Sequence, residues 1–180
     1  MTQEMTEKMD MVVKGMKAKE GKYLTFVLAK EEYGVEILKV REIIGLMEIT
    51  SVPRTPDFVK GVINLRGSVI PVIDLRLKFD MPGVEYTQET CIIVVTVEVD
   101  GGSVLMGIIV DTVSEVLDIG DSEIEPAPAF GGNINTDYIL GMGKVKDTVK
   151  ILLDIAKVLH AEELEAIKAM RKEEGSSEVA

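Results

Sequence analysis

The stretch Pro53-Arg-Thr-Pro-Asp-Phe-Val-Lys-Gly-Val-Ile-Asn-Leu-Arg-Gly-Ser-Val-Ile-Pro-Val-Ile-Asp-Leu75 decides how this chain folds, because the chain writes it twice. Within it, Val59–Leu65 and Ser68–Ile73 are apolar runs separated by Arg66-Gly67, the spacing of a β-hairpin whose glycine supplies a positive φ. A looser copy runs from Tyr138 to Ile155. Shifted by 80 positions, Phe58 falls on Tyr138, Gly61 on Gly141, Val69 on Val149 and Asp74 on Asp154. Shifted by 73, Gly34 falls on Gly107, Val40 on Val113, Glu42 on Glu115 and Pro53 on Pro126. The copies keep their apolar positions and differ at the turn. Asn64-Leu65-Arg66-Gly67 in the first is answered by Lys144-Val145-Lys146-Asp147 in the second.

Outward from this repeat, Leu24, Phe26 and Leu28 alternate with their neighbours at the period of a strand buried on one face. Glu31-Glu-Tyr-Gly34 is expected to turn the chain, and Val35–Ile44 fits either a strand or a helical turn. Pro71 removes a ladder donor and belongs at an edge or bulge. Leu75–Phe79 fits one helical turn before Met81-Pro-Gly83. The apolar Thr90–Val99 turns at Asp100-Gly-Gly102 and returns through Ser103–Val110. Asp154 is placed as an N-cap for an amphipathic helix running to Arg171. These signals predict an all-β fold, either two small barrels or a closed sandwich, with the halves packed on each other and a C-terminal α-helix. The expected divisions are a flexible tail over 1–20, a first module over 21–83, a second over 84–153, the helix over 154–172 and a disordered end over 173–180.

Composition narrows the function. With 180 residues, each half alone is too small for a comfortable core, so the halves should share one. A net charge of −11 argues against nucleic acid and against anionic lipid, both of which need clustered cations. The single cysteine, Cys91, sits in an apolar run and cannot form an internal disulfide, which suits a reducing cytoplasm. No signal peptide or membrane-spanning run is expected from these residues.

Catalytic chemistry finds no constellation. His160, the only histidine, lies in the helical stretch and reads as a solvated residue, while Cys91 reads as an inert core thiol. Gly141-Met-Gly143-Lys144 fails the phosphate-loop pattern, since Val145 stands where Ser or Thr is needed. Asp118, Asp121, Glu123 and Glu125 lack the spacing and central glycine of a calcium loop. No catalytic residue, metal or cofactor is expected. What stands out is Arg66, a cation on an acidic molecule, projecting from a tight turn either as a plain solvated tip or as a bidentate contact for a carboxylate-bearing partner helix.

Four segments, Glu32-Tyr-Gly-Val-Glu-Ile-Leu-Lys-Val-Arg-Glu-Ile43, Val52 to Leu75, Gly107-Ile-Ile-Val-Asp-Thr-Val-Ser-Glu-Val-Leu117 and Pro126-Ala-Pro-Ala-Phe130, closely resemble the CheW family of bacterial chemotaxis coupling proteins, in family order over about residues 20–165. The resemblance implies two SH3-like five-stranded barrels. It implies an adaptor that joins the cytoplasmic tips of methyl-accepting chemoreceptors to the regulatory domain of the histidine kinase CheA in membrane-associated receptor arrays. Carried over by position, it implies a receptor groove at Ile37, Val40, Glu42, Arg66, Val113 and Val116, and a kinase or ring contact at Phe130. The natural Met1 start and terminal helix are expected for a whole adaptor. Alternatives are a detached CheA-type regulatory domain, a CheV-like adaptor, for which no receiver segment is seen, or an unrelated β-barrel binding a small ligand or peptide.

Overall fold

A computed structural model describes residues 21–99, 102–128 and 136–159, together with Glu7 and Met9. Strand β1 (Lys22–Leu28) pairs antiparallel with β2 (Glu31–Glu36), setting Leu24 opposite Val35 and Phe26 opposite Tyr33. The expected turn at Glu31–Gly34 is instead strand. The reversal lies one step earlier at Ala29-Lys30, with φ of 49° and 75°. Tight hairpin turns of this mirror-image kind normally advertise themselves with Asn or Gly. Here a side chain from elsewhere, Asp111, accepts a hydrogen bond from the Ala29 N–H at 2.9 Å and holds the turn. The ambiguous Val35–Ile44 resolves into the end of β2, a 3-10 turn at Ile37–Lys39 and strand β3 (Val40–Gly45).

The quoted stretch forms the expected hairpin of β4 (Val59–Leu65) and β5 (Ser68–Asp74), followed by the single helical turn α1 (Leu75–Lys78). The apolar β6 (Cys91–Val99) returns through β7 (Gly102–Val110), and then come β8 (Thr112–Asp118) and the two-residue β9 (Ile124–Glu125). The second copy gives β10 (Ile139–Val145), β11 (Thr148–Leu153) and α2 (Ile155–Val158). Asp154 caps α2 by accepting from Ala156 N–H at 3.2 Å, as Asp74 caps α1 from Arg76 N–H at 2.9 Å. The expected helix beyond Leu159 and the terminal tails, Glu7 and Met9 apart, lie outside the described residues.

The strands sort into two sheets, ordered β8-β1-β2-β11-β10-β9 and β3-β6-β7-β5-β4. Each sheet therefore draws strands from both halves of the chain, and the expected module boundary at 83/84 cuts through both. The cause is a pair of parallel contacts. β5 lies beside β7 with Val72 opposite Gly107, and β11 lies beside β2 with Leu152 opposite Gly34. Each barrel is thus completed by a hairpin from the other copy.

Closure uses the same device twice. Past β3, Thr50 exchanges backbone hydrogen bonds with Val62 at 2.8 and 2.9 Å, and past β8, Glu125 of β9 pairs with Met142. Each closing strap crosses a glycine. A Cβ on Gly61 would sit 1.9 Å from the Thr50 carbonyl oxygen, and one on Gly141 would sit 2.5 Å from Ile124 Cγ2. The sequence equivalence is structural throughout: Asp74 N–H donates to Phe58 C=O and Asp154 N–H to Tyr138 C=O, both at 2.8 Å. Pro71 sits one residue before the β5–β7 ladder begins, so its missing donor falls on a locally unpaired edge.

Three apolar clusters are formed among the described residues. Ile63, Ile70, Val72, Ile92, Val94 and Ile109 fill one barrel, and Tyr23, Ile119 and Leu152 the other. The largest lies between them and takes Leu24, Phe26 and Val35 from one sheet with Ile43, Ile93, Val95 and Ile108 from the other. β6 buries alternate residues in two different clusters, which is why it reads as an unbroken apolar run. Replacing Gly61 with Ala puts a methyl group into the Thr50 strap at a φ of 141°. The expected loss is about 3 kcal/mol of unfolding free energy, measured by urea denaturation; a change within error would mean the strap yields freely.

Candidate functional site

The two crossovers between the sheets lead into edge strands β3 and β8, which are equivalent positions of the repeat. Val40 pairs with Val95 and Val113 with Phe26, and a one-residue bulge follows in each ladder before Glu42 and Glu115. The expected groove residues divide by burial. Ile37, Val40 and Val113 are 4%, 8% and 0% exposed and belong to the inter-barrel core, so they form the floor under these edges. Val116 is half-buried against the same cluster. Leu38, between Ile37 and β3, is 60% exposed and was not marked by periodicity, because a 3-10 turn presents one residue of a short apolar run outward.

Arg66 and Glu42 are brought together from opposite ends of the sheet order β3-β6-β7-β5-β4. Arg66 donates from Nη2 to Glu42 Oε2, and this contact raises its pKa further. The side chains remain 69% and 32% exposed, so the pair is solvated and open to a competing carboxylate. Its turn is strained: Arg66 has φ 51° and Gly67 φ 90°, with Gly67 N–H donating to Asn64 Oδ1 at 2.8 Å. Lys146 repeats the backbone with φ 56°, yet no ion pair joins it to Glu115 among the described residues. Lys144 instead pairs with Glu125 at 2.8 Å, which holds that carboxyl below its ordinary range.

A polar cluster that the sequence reading passed over lies where β7 meets β8. Arg76 of α1 donates from Nε and Nη2 to the two carboxylate oxygens of Asp111 at 2.7 and 2.6 Å, and from Nη1 to the Pro82 carbonyl at 3.2 Å. Burial pushes the Asp111 carboxyl up, but the hydrogen bonds from Arg76 and Ala29 outweigh it, and its pKa lies below the usual carboxylate range. Nearby, Tyr86 donates to Asp74 Oδ2 at 2.8 Å, and burial with this bond raises the phenol's pKa. Phe26, Tyr33, Phe79 and Tyr138 stack in sequence at 6.0, 6.1 and 5.3 Å between centroids, tying the end of α1 to the first sheet.

The remaining candidates take ordinary places. Cys91 is buried, and its thiol donates to the Glu89 carbonyl. Gly141–Lys144 lies within β10. Asp118 pairs with Lys22 at 3.6 Å and Glu123 accepts from Gly120 N–H at 3.1 Å. No group of three or more His, Cys, Asp or Glu could hold a metal ion among the described residues, and no helix among them is long and apolar enough to cross a membrane. Phe130 and His160 lie outside the described residues.

Two interleaved barrels whose polar groups fix edges and turns define a scaffold of the two-barrel adaptor class. A family model described as the CheW-like domain matches residues 22–163. Chemotaxis protein CheW of Klebsiella aerogenes is 44% identical over 150 residues, covering 83% of this chain and 88% of that protein. Chemotaxis protein CheW of Rhizobium meliloti is 34% identical over 143 residues, covering 79% and 90%. The crystal structure of the scaffolding protein TtCheW from Thermoanaerobacter tengcongensis superimposes with a TM-score of 0.69 at 36% identity, covering 79% of this chain and 94% of that one. The chain belongs to the CheW-like domain family, a family of non-enzymatic adaptors, and its function is that of a chemotaxis adaptor.

The lowered pKa of Asp111 carries a pH signature. A carboxylate whose folded pKa is depressed adds stability that is fully present above its unfolded value, about 3.9, and lost as pH falls through the folded one. The stability advantage of wild type over Asp111→Asn in urea unfolding should therefore be constant near neutrality and shrink below about pH 4. An advantage independent of pH would show that the charge on Asp111 contributes nothing.

Proposed function

We propose that the protein couples chemoreceptor signalling tips to the histidine kinase CheA, acting in the cytoplasm, binding both partners within membrane-associated arrays, helping to control kinase activity and catalysing no reaction itself. Membership of the CheW-like domain family supports this reading. The observation that carries it is the solvated Arg66–Glu42 pair, a guanidinium held at a strained turn on a molecule of net charge −11. It offers a register-setting contact to an acidic helix, with exposed Leu38 and half-buried Val116 as apolar contacts beside a floor of Ile37, Val40 and Val113. Phe130 is the proposed anchor for the kinase or for a ring neighbour, an aromatic flanked by Pro128 and Gly131.

Co-sedimentation with receptor signalling fragments and with the CheA regulatory domain tests the reading; failure of both to bind at micromolar concentration overturns it. Arg66→Glu should weaken receptor binding at least tenfold, keep kinase binding within about twofold, and leave thermal unfolding nearly unchanged, as for other surface substitutions. A large fall in melting temperature would make Arg66 structural. Val40→Asp is a different experiment, because Val40 is 8% exposed in the core. An unpaired charge there should cost on the order of 3–5 kcal/mol and remove both binding activities together. Leu38→Asp, on an exposed residue, is the substitution that should remove receptor binding alone.

A further inference from the structure

The repeat makes a control available inside the molecule. Under the 73-residue shift Asp111 corresponds to Leu38, and under the 80-residue shift Arg76 corresponds to Ala156. The chain therefore crosses between sheets at two equivalent places, and only the crossing from β7 to β8 carries the Arg76–Asp111 ion pair. The crossing from β2 to β3 makes the same strand path without it. The fold does not need the pair in order to cross, so its presence at one crossing calls for another reason.

Its construction indicates what it holds. Arg76 and Asp111 side chains are 15% and 24% exposed, and they meet through two parallel hydrogen bonds, the geometry that fixes orientation as well as distance. Asp111 Oδ2 also takes the N–H of Ala29, and Asp111 N–H donates to Val27 C=O at 3.1 Å. One residue thus gathers the end of β1, the strained Ala29-Lys30 turn, α1 and the first residue of β8. Strained non-glycine turns persist where surrounding contacts over-determine them. Downstream, β8 is an edge strand that among the described residues pairs with β1 alone, and it carries Val113, Glu115 and Val116.

We propose that Asp111, clamped by Arg76, is a positioning residue that pins edge strand β8 and the β1–β2 turn, and that receptor binding along β8 depends on this clamp. The binding half of the proposal rests on the receptor reading above; the clamp itself does not. Arg76→Met and Asp111→Asn, singly and together, test both halves. Hydrogen exchange in the free protein should speed up about tenfold or more at Thr112–Asp118 and at Ala29 in each single variant. The double variant should add little, because either change releases the same clamp. Amides of Ile92–Val95, deep in the other sheet, should stay as protected as in wild type. Acceleration of all amides by one common factor, or no acceleration at β8, overturns the clamp.

Affinity for a receptor signalling fragment should fall about tenfold in all three variants, with CheA regulatory-domain affinity within about twofold of wild type. Local loosening of β8 with unchanged receptor affinity overturns the positioning role. Wild-type protein that binds no receptor fragment overturns the receptor reading and with it the binding half of the proposal, while the exchange measurement still decides the clamp.

Discussion

The parallel pairing of β5 with β7 and of β11 with β2 is the constraint from which the rest of the structure follows. Parallel neighbours cannot be joined by a tight turn. β5 reaches β7 through α1 and β6 within one sheet, whereas between β2 and β11 the chain leaves the first sheet, builds the whole of the second and returns at β8. The two barrels are consequently threaded through each other. Gly34 lies in the middle of the β2–β11 contact and Gly107 at the start of the β5–β7 contact, and a Cβ there would come within 2.9 Å of Leu152 Cδ2 and 2.8 Å of Ile92 Cγ2 respectively. The cluster between the barrels is then the principal core of the molecule. Fully burying one Leu or Ile there stabilises by about 1.5–3 kcal/mol, which neither small barrel interior could match in number.

The same threading explains why the edges, and not the barrel interiors, are where recognition is proposed. Each crossing delivers the chain from the shared core onto an outer strand, so Val40 and Val113 anchor β3 and β8 from beneath while the neighbouring residues face outward. Pseudo-symmetry supplies two such edges, and a few side chains make them unlike. Arg66 meets Glu42 where Lys146 and Glu115 do not meet. Asp111 is clamped where Leu38 is bare. For the proposed adaptor with two different partners this difference would matter, because equivalent edges would compete for the same helix.

Much of this is legible in the sequence. The offset of 80 residues locates both hairpins and matches Gly61 with Gly141 and Asp74 with Asp154. Asp154 also reads as a helix cap, whereas the bulges and the cap at Asp74 emerge only in the structure. The module boundary was not legible, because strand pairing across the chain leaves no trace in local periodicity and the repeat itself suggests a cut between the copies. The Ala29-Lys30 turn was missed for a related reason: its stability comes from Asp111, 82 residues away in sequence. Arg66 and Glu42 are two separate expected groove residues in the sequence and an ion pair in the structure, whereas Ile37, Val40 and Val113 are buried beneath them. Apolar residues at strand starts look alike in sequence whether they face a partner or the core. The asymmetry at Asp111 was open to discovery by asking where the 73-residue shift pairs unlike residues.

If threading makes the barrels one folding unit, native-state hydrogen exchange at low urea is the most direct test. The slowest amides of the first sheet (Leu24, Val35, Leu152) and of the second (Ile93, Ile108, Ile73) should exchange through one global opening, with free energies equal within about 1 kcal/mol and the same urea dependence. Two separated opening free energies, one per sheet, would contradict the account, because each barrel would then stand without the hairpin it borrows from the other copy.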